Sequence, residues 1–264
     1  MTKNMFAVYP DILKNILYAK FINLRSALWG KIIDISVWAG CSLYVTGYVM
    51  QAFGLSRDFG PFQLACILAV IGMFELSGNA PAMVADFEGD RTISYYLTLP
   101  GSTVTVLLGY IIYYATVSII VSIAVLPLGK LILWQQLNLA GIAWLKFFLF
   151  LVLINLVWAT ATIPLTSYMS SLEKLETVWT RVIFPLWFLG CFQFSWTAIH
   201  ATSPVLSYVM LLNPVLYATE GMRAVCLGQA GYLPFWLCFV VMVAVLIGLS
   251  FWGYVAFKKR LDLV

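Results

Sequence analysis

Charged residues are scarce in this chain, at 10% of its 264 residues, whereas ordinary soluble domains carry about 25%. So few charges cannot cover the surface of a globule of this size in water, and 62% of the residues are hydrophobic. The composition therefore predicts an integral membrane protein, and it excludes a disordered chain or a nucleic-acid-binding protein.

Catalytic and metal-binding residue patterns are missing as well. There is one histidine, His200, and the five cysteines lie mostly in apolar runs without a Cys-x-x-Cys pair. This predicts small buried side chains rather than a disulfide framework or a metal site. Neither Gly-Lys pair, at Gly30-Lys31 or Gly129-Lys130, belongs to a G-x-x-x-x-G-K-[ST] loop. The chain alone is therefore not expected to hydrolyse ATP or to bind a cofactor.

What the chain does have is long apolar stretches, and a helix of about 20 apolar residues crosses the bilayer core. Six stretches qualify: residues 32–53, 61–85, 103–126, 141–167, 181–199 and 233–257. The sequence therefore predicts an all-α integral membrane protein with a helical region over residues 1–30 and a six-helix transmembrane domain over residues 31–264. The first thirty residues carry charges throughout, so no cleavable signal peptide is predicted.

The distribution of Lys and Arg predicts the orientation of these spans. Six spans place both termini on the same side, and basic residues concentrate in the cytoplasmic connections of membrane proteins. With the termini inside, eleven of the 15 basic residues lie on the inner side. The four on the outer side are Arg57, Lys130, Lys146 and Arg223. We therefore expect a multi-pass protein of the cytoplasmic membrane with both termini in the cytoplasm.

Residues 9–28 differ from the spans, because polar residues interrupt an apolar pattern of helical spacing. Pro10 suits a first helical turn and Gly30 suits a helix end. The basic residues of this segment are Lys14, Lys20 and Arg25. The pattern predicts an amphipathic interface helix that lies along the membrane with its basic residues toward the lipid headgroups. The alternative is a soluble amphipathic helix packed on a partner, and one helix can do both.

The connection between the second and third spans, residues 86–100, begins with three acidic residues, which suit the positive end of a helix. An apolar face then follows at helical spacing: Ile93, Tyr96 and Leu97. Pro100 ends the run. The pattern predicts a short helix over residues 88–97 at the cytoplasmic surface. The alternative is a capped turn with a solvated charge cluster.

Residues 200–232, between the fifth and sixth spans, are too apolar for an exposed loop. They contain two helical pieces, each opened by a cap and a proline, at Ser203-Pro204 and Asn213-Pro214. Pieces this short cannot cross the bilayer, so the sequence predicts a re-entrant helical pair in the outer leaflet.

The second of these pieces contains two opposite charges at i, i+3 spacing, Glu220 and Arg223. Charges at membrane depth usually pair or face a polar pathway. The pair is therefore either a structural ion pair or part of an outer gate. If mutual pairing is what matters, exchanging the two charges should restore part of the function.

Two further sets of residues within the predicted spans bear on a substrate path. Glu75, with Asn79 one turn on, is costly in lipid and should face the bundle or a dimer seam, as a gate or as an inter-helix hydrogen bond. The fifth span is rich in aromatic residues, among them Phe184, Trp187, Phe188 and Phe192. These side chains are either packed or lipid-facing, or they form a wall that slides past an acyl chain or stacks on sugar rings.

Two motifs in this frame resemble those of a known family. After the second predicted span stand Asp90, Arg91, Tyr96, Leu97, Leu99, Pro100, Gly101 and Ser102. Before the last span stand Asn213, Pro214, Tyr217, Arg223 and Gly228. Together with the N-terminal helix and the six spans, they make the whole chain resemble the permease subunit of a type-2 ATP-binding-cassette exporter. Where relatives often carry Gly-Thr, this chain has Thr92-Ile93.

The resemblance implies a homodimer, or a dimer with a similar permease, embedded in membrane lipid and bound to two cytoplasmic ATPase subunits that hold ATP and Mg²⁺. The cargo would be amphipathic, lipid-linked or drug-like. The ATPase-coupling residues would be Glu88, Asp90, Arg91, Thr92, Tyr95 and Tyr96. The outer gate would consist of Asn213, Tyr217, Glu220 and Arg223.

Two other classes of protein remain as alternatives. A membrane scaffold or assembly factor could have the same spans and no transport activity. An intramembrane enzyme would need a nucleophile–base pair or a metal cluster, and the single His200 suits a capping or water-facing role better. Co-purification with an ATPase that carries Walker motifs would separate both from the exporter.

Overall fold

The computed structural model describes residues 5–22, 24–89, 91–169 and 173–262, and the regular elements within them are helices. The first half contains α1 (Met5–Ile22), α2 (Leu24–Tyr44), α3 (Phe59–Glu88), α4 (Thr92–Thr98), α5 (Thr103–Leu133) and α6 (Trp144–Tyr168). The second half contains α7 (Glu173–Val178), α8 (Phe184–Phe188), α9 (Trp196–Thr202), α10 (Pro204–Met210), α11 (Pro214–Cys226) and α12 (Phe235–Asp262). A π-helical segment, Val45–Val49, extends α2, and a second one, Trp179–Ile183, joins α7 to α8.

Five helical stretches are long and apolar enough to cross a membrane: Leu28–Phe53, Phe59–Phe87, Thr103–Leu133, Trp144–Tyr168 and Phe235–Leu261. They overlap five of the six predicted spans, and they agree with an all-helical multi-pass membrane protein. The central helix is α3, which is 83% buried over its most apolar part and packs against α2, α5, α6 and α11. By contrast, α2 and α12 lie at the periphery, because only 17% of the most apolar part of each is buried.

The predicted fifth span is not one continuous helix. Helix α8 ends at Phe188, residues 189–195 are non-helical, and α9 begins at Trp196. The described helical stretch over residues 173–188 is about 24 Å long at 1.5 Å per residue, which is shorter than a bilayer core of about 30 Å. The break is possible because α11 supplies the hydrogen-bond donors that the interrupted backbone needs.

The N-terminal region also differs from the prediction, because Gly30 lies inside α2 and does not end a helix. Helix α1 runs along the first half of α5: Ile12 lies beside Gly101, and Ile16 lies beside Gly109. Helix α2 continues along the second half of α5, where Gly40 lies beside Ile132. The apolar positions Leu24 and Ile32 pack on the core, and this burial outweighs the roughly 1 kcal/mol that glycine costs within a helix.

Helix α11 is wedged between α3, α6 and α12, and Gly221 is the residue that permits this close approach. A Cβ atom added at Gly221 would lie 2.5 Å from Cζ of Phe150 and 2.9 Å from Cβ of Cys238. The neighbours are an aromatic ring of α6 and a side-chain carbon next to the backbone of α12, so neither can move away freely. The position of α11 therefore depends on a residue without a side chain.

We expect Gly221→Ala to lower the free energy of unfolding by about 1–3 kcal/mol, because the added methyl group overpacks the α6–α11–α12 contact. Thermal unfolding of the purified protein in one detergent measures the effect. The matched control is Gly30→Ala, where an added Cβ meets no described atom within 4 Å. That control should leave the melting temperature unchanged or raise it, since alanine favours a helix. Equal melting temperatures for both variants would contradict this account of the packing.

Candidate functional site

The end of the bundle that carries α4 is organised by Asp86, near the end of α3. Its carboxylate accepts hydrogen bonds from the backbone N–H groups of Thr92 (3.1 Å) and Ile93 (2.8 Å), and its carbonyl accepts one from the N–H of Arg91 (2.7 Å). These are the donors that a helix N-terminus leaves unsatisfied. Asp86 therefore caps α4 and fixes it against the end of α3.

The predicted helix over residues 88–97 begins too early, and the capping by Asp86 explains why. Glu88 is the last residue of α3, and the new helix begins only at Thr92. Between them the backbone of Arg91 adopts a left-handed conformation with φ of 51°. Asp90 lies outside the described residues, and so does the side chain of Glu88. The reversal occurs because Asp86 draws the following N–H groups back toward α3.

The predicted apolar face of α4 is confirmed. Ile93 is buried, and Tyr96 and Leu97 are partly buried against the cluster that includes Ile12 and Phe257. On the other face Arg91 and Tyr95 are exposed, Tyr95 at 62%, while Thr92 is half-buried. Burial and the nearby Asp86 carboxylate raise the pKa of Tyr96. Helix α4 is thus held rigidly and presents one polar, aromatic face outward.

The basic residues of the N-terminal helix do not share one surface. Lys14 is exposed, whereas Nζ of Lys20 lies 3.6 Å from the centroid of the Tyr110 ring in α5. Burial lowers the pKa of Lys20 to about 8, and the Asp86 carboxylate opposes this shift. The side chain of Arg25 lies outside the described residues. Lys20 is therefore a contact between α1 and α5, a role that its sequence position did not predict.

Arg260 joins three long helices at the same end. Its guanidinium donates to the carbonyls of Thr166 and Met169 at the end of α6, the latter at 2.8 Å. It also lies over the ring of Phe87 in α3, 4.1 Å from the centroid. Because Arg260 belongs to α12, this end of α3, α6 and α12 is tied together beside α4.

The opposite end of the bundle contains a fully buried ion pair. Glu220 and Arg223, both in α11, have no exposed side-chain surface, and Nη1 of Arg223 lies 2.9 Å from Oε1 of Glu220. The guanidinium also lies over the Phe62 ring of α3, 3.6 Å from its centroid. A buried pair of charges is retained only when further hydrogen bonds satisfy both partners.

Those further hydrogen bonds go to the backbone. Arg223 donates to the carbonyls of Cys191, Phe192 (3.2 Å) and Phe194 (2.9 Å). Glu220 accepts from the N–H groups of Trp196 (3.1 Å) and Leu233 (3.2 Å). The two side chains thus satisfy the interrupted backbone after α8 and anchor the segment that leads into α12. The contacts match the structural interpretation of the pair.

Other side chains of α11 and its cap continue this pattern. Asn213 caps α11 at the N–H of Val215 and donates to the carbonyl of Leu186 at 2.7 Å. Thr219 donates to the carbonyl of Gly190 at 2.7 Å. Tyr217, the remaining predicted gate residue, donates to the carbonyl of Leu211 at 2.9 Å. Helix α11 thus begins beside α8 and runs along the broken segment, and it is opened by the cap Asn213 and by Pro214, as predicted.

Within the bundle, Glu75 has a partner that the sequence did not reveal. Its carboxylate accepts a hydrogen bond from Nζ of Lys31 in α2, and Glu75 is 7% exposed. Asn79 is buried one turn further along α3. Because Lys31 was assigned to the region before the first span, its pairing with an intramembrane acid could not be anticipated.

The predicted aromatic residues do come together. The ring centroids of Trp187 and Phe188 lie 4.7 Å apart, and those of Trp187 and Phe192 lie 4.9 Å apart. Phe184 is 6.1 Å from Trp187. Two aromatic residues that were not predicted complete the cluster from other helices: Trp38 of α2 and Phe74 of α3. Their only signal in the sequence was an aromatic side chain inside a predicted span.

The described residues thus form an all-helical bundle with five helices able to cross a membrane. No protein-family model matches the chain, and no curated protein matches it either. Two features of the bundle can interact with a partner or a ligand: the exposed face of α4 and the aromatic cluster. The buried network around α11 holds the irregular segment after α8 in place.

Proposed function

We propose that the chain is the permease subunit of a type-2 ATP-binding-cassette exporter, which moves an amphipathic, lipid-linked or drug-like substrate out across the cytoplasmic membrane. ATP and Mg²⁺ belong to a separate ATPase, since this chain has no phosphate-binding loop. The resemblance of the two short motifs supports the proposal, and the geometry of α4 carries it.

The connection between α3 and α5 is longer than a simple turn requires, because it contains helix α4. Helix–helix connections in bundles commonly take about 2–8 residues. Here a capped helix stands between α3 and α5 and leaves Arg91 and Tyr95 exposed. An exposed aromatic side chain next to an Arg is typical of a protein–protein contact. The proposed occupant of this face is the ATPase subunit.

A force applied to α4 would be passed on to the long helices. Asp86 and Ile93 fix α4 to α3, and Arg260 ties the same end of α3 to α6 and α12. Closure of two ATPases would therefore move these helices as a rigid body, as in domain rotations about an interface. The N-terminal helix α1 lies beside this end on α5 and would add to the docking surface.

A protein with six spans requires one membrane crossing in addition to the five long apolar helices. The helical stretch over residues 173–188, the irregular segment and α9 would cross together. Helices α10 and α11 would then form the re-entrant pair, because Asn213 returns to the level of Leu186 before α11 runs back along the segment. Irregular backbone is tolerated at membrane depth only where protein satisfies it, as Arg223 does here.

A second copy of the chain would complete the transporter. Helix α2 presents an apolar surface on which Trp29, Ile33, Val37 and Tyr44 are exposed. A dimer seam along α2 would cover this surface and bring two aromatic clusters near the common axis. The clusters, with Glu75 behind them, would then line the substrate path.

We expect affinity purification of the full chain from its native source, in a mild detergent, to retain an ATPase subunit with Walker motifs in equal amount. The chain expressed and purified alone should hydrolyse no ATP, because it lacks the phosphate-binding loop. Subunit composition by mass spectrometry and phosphate release measure the two results.

Robust hydrolysis by the isolated chain would overturn the proposal. Purification of the chain with membrane proteins but without any ATPase would favour the scaffold instead. Exposed tyrosines at the other end should not matter for this contact: Tyr208→Ala, a position away from α4, should retain the ATPase, and it is the matched control for a Tyr95→Ala variant of α4.

A further inference from the structure

A cavity of about 410 Å³ opens between α2, the start of α3 and the irregular segment after α8. Its volume falls within the range of about 300–1,000 Å³ that small-molecule sites occupy. The wall includes Trp38, Ser42 and Thr46 of α2, Gln63 of α3, and Trp187 and Phe192. The aromatic cluster described above therefore forms one side of a real space and is not completely packed.

Two residues of this wall carry buried polar atoms that have no hydrogen-bond partner among the described residues. One is a donor, Nε1 of Trp187, and the other is an acceptor, Oε1 of Gln63. Gln63 is only 1% exposed, so bulk water does not replace the missing partner. Buried polar groups are nearly always hydrogen-bonded in native proteins, and an exception requires an explanation. A bound molecule with hydroxyl groups would satisfy both atoms.

The chemistry of the wall selects the kind of molecule. The rings of Trp38 and Phe192 lie 6.4 Å apart at an interplanar angle of 27°, and aromatic faces of this kind cover the apolar face of a sugar ring. No charged side chain is among the described residues that line the cavity. A phosphate-bearing headgroup would need Lys or Arg near it. The wall therefore suits an uncharged ligand rich in hydroxyl groups.

The backbone at the cavity has an unusual conformation as well. Thr46 belongs to the π-helical segment Val45–Val49, and its hydroxyl donates to the carbonyl of Ser42. Isolated π-helical turns within α-helices are frequent at functional sites, because they change the direction in which side chains project. This observation is independent of the unpartnered atoms and lies on the same wall.

We propose that this cavity binds an uncharged glycosyl group, with Nε1 of Trp187 donating to one ligand hydroxyl and Oε1 of Gln63 accepting from another. Trp38 and Phe192 lie on one wall and contact one apolar face of the sugar ring. The inference rests on the proposed function only in identifying this glycosyl group as part of the transported substrate. Binding itself requires no ATPase. The glycosyl group can belong to a membrane lipid or to a soluble sugar.

The test uses the full chain, purified without partner and placed in phosphatidylcholine nanodiscs. The probes are glucosyl-diacylglycerol, diacylglycerol without the sugar, phosphatidylglycerol and soluble maltose, and native mass spectrometry measures the ligand that is retained. The variants are Gln63→Met, which keeps the side-chain size and removes the polar amide, and Trp187→Phe, which removes the indole N–H together with the five-membered part of the ring. The matched controls are Trp236→Phe and Gln135→Met, at exposed positions away from the cavity.

We expect the chain to retain glucosyl-diacylglycerol in preference to diacylglycerol and phosphatidylglycerol. Each cavity variant should weaken this binding about fivefold, which is the loss typical of one hydrogen bond, and the controls should not. The melting temperature of Gln63→Met should not fall, because this variant removes an unsatisfied group at nearly constant size. Trp187→Phe also removes ring contacts, so some loss of stability is expected for it. Maltose binding with the same dependence on Trp187 and Gln63 would support the site and identify a soluble sugar as the ligand.

Equal retention of diacylglycerol and its glucosyl derivative would overturn the inference, and so would unchanged binding in both cavity variants. These outcomes are distinct from a failure of the proposed function, which concerns co-purification of the ATPase. A chain that keeps its ATPase but binds no sugar would refute the cavity alone. If the chain binds the sugar but co-purifies with no ATPase from its native source, the cavity site stands and the proposed transport function fails.

Discussion

Replacing Arg223 with leucine is expected to reduce the free energy of unfolding by about 3–5 kcal/mol, the range found when one partner of a buried ion pair is removed. The substitution leaves the Glu220 carboxylate buried without a counter-charge and removes the donor from the carbonyls of Cys191, Phe192 and Phe194. Thermal unfolding in a fixed detergent measures the loss. The control is Arg57→Leu, at an exposed position, which should change stability little.

The charge-swapped variant, Glu220→Arg with Arg223→Glu, separates two explanations of the pair. Mutual pairing alone predicts that the swap restores stability. The backbone contacts predict the opposite, because a carboxylate at position 223 would face carbonyl oxygens and a guanidinium at position 220 would face the N–H groups of Trp196 and Leu233. We expect the swap to be at least as unstable as Arg223→Leu. Recovery to wild-type stability would show that the backbone contacts contribute little.

The second large effect concerns α4. We expect Tyr95→Ala to weaken retention of the ATPase about tenfold, a loss that one aromatic residue at the centre of an interface commonly produces. Its exposed ring contributes little to the fold, so the melting temperature should not change. Arg91→Gly should have a similar effect, since glycine adopts a φ of 51° without strain and only the side chain is lost. Titration of the purified ATPase onto nanodisc-embedded chain provides the measurement.

A third variant at this end tests the rigidity of α4 rather than its surface. Asp86→Ala removes the acceptor for the N–H groups of Thr92 and Ile93, a cap that contributes about 1 kcal/mol in comparable helices. We expect it to retain most ATPase binding and to lose the coupling of hydrolysis to transport. If Tyr95→Ala, Arg91→Gly and Asp86→Ala all bind and transport normally, α4 is only a connector.

Features set by neighbouring residues could be predicted from the sequence. The apolar face of α4 at Ile93 follows from helical spacing within one segment. The starts of α10 and α11 follow from a cap and a proline in adjacent positions. The five long apolar helices follow from composition over about 20 residues. Each of these signals is complete within a single short window of the chain.

Features that depend on distant residues could not be predicted. Helix α8 can end at Phe188 because Arg223 supplies the donor for the carbonyl of Cys191, which lies 32 residues earlier in the chain. Lys31 and Glu75 pair across 44 residues, and no pattern within either helix indicates it. Gly30 suggested a helix end, but α2 continues through this position because its packing on α5 outweighs the helix-breaking tendency of glycine. The cavity beside Trp187 arises from three separate parts of the chain, so only the structure reveals it.

The backbone contacts of Arg223 also constrain how the protein is made. Synthesis proceeds from the N-terminus, so residues 189–195 leave the ribosome before α11 exists. Until then the carbonyls of Cys191 and Phe192 need water as a partner, because unsatisfied backbone groups are not tolerated in lipid. The Phe62 ring, over which the Arg223 guanidinium lies, belongs to α3 and is synthesised earlier. We therefore expect residues 173–226 to join the bundle late and together, after the earlier helices have assembled.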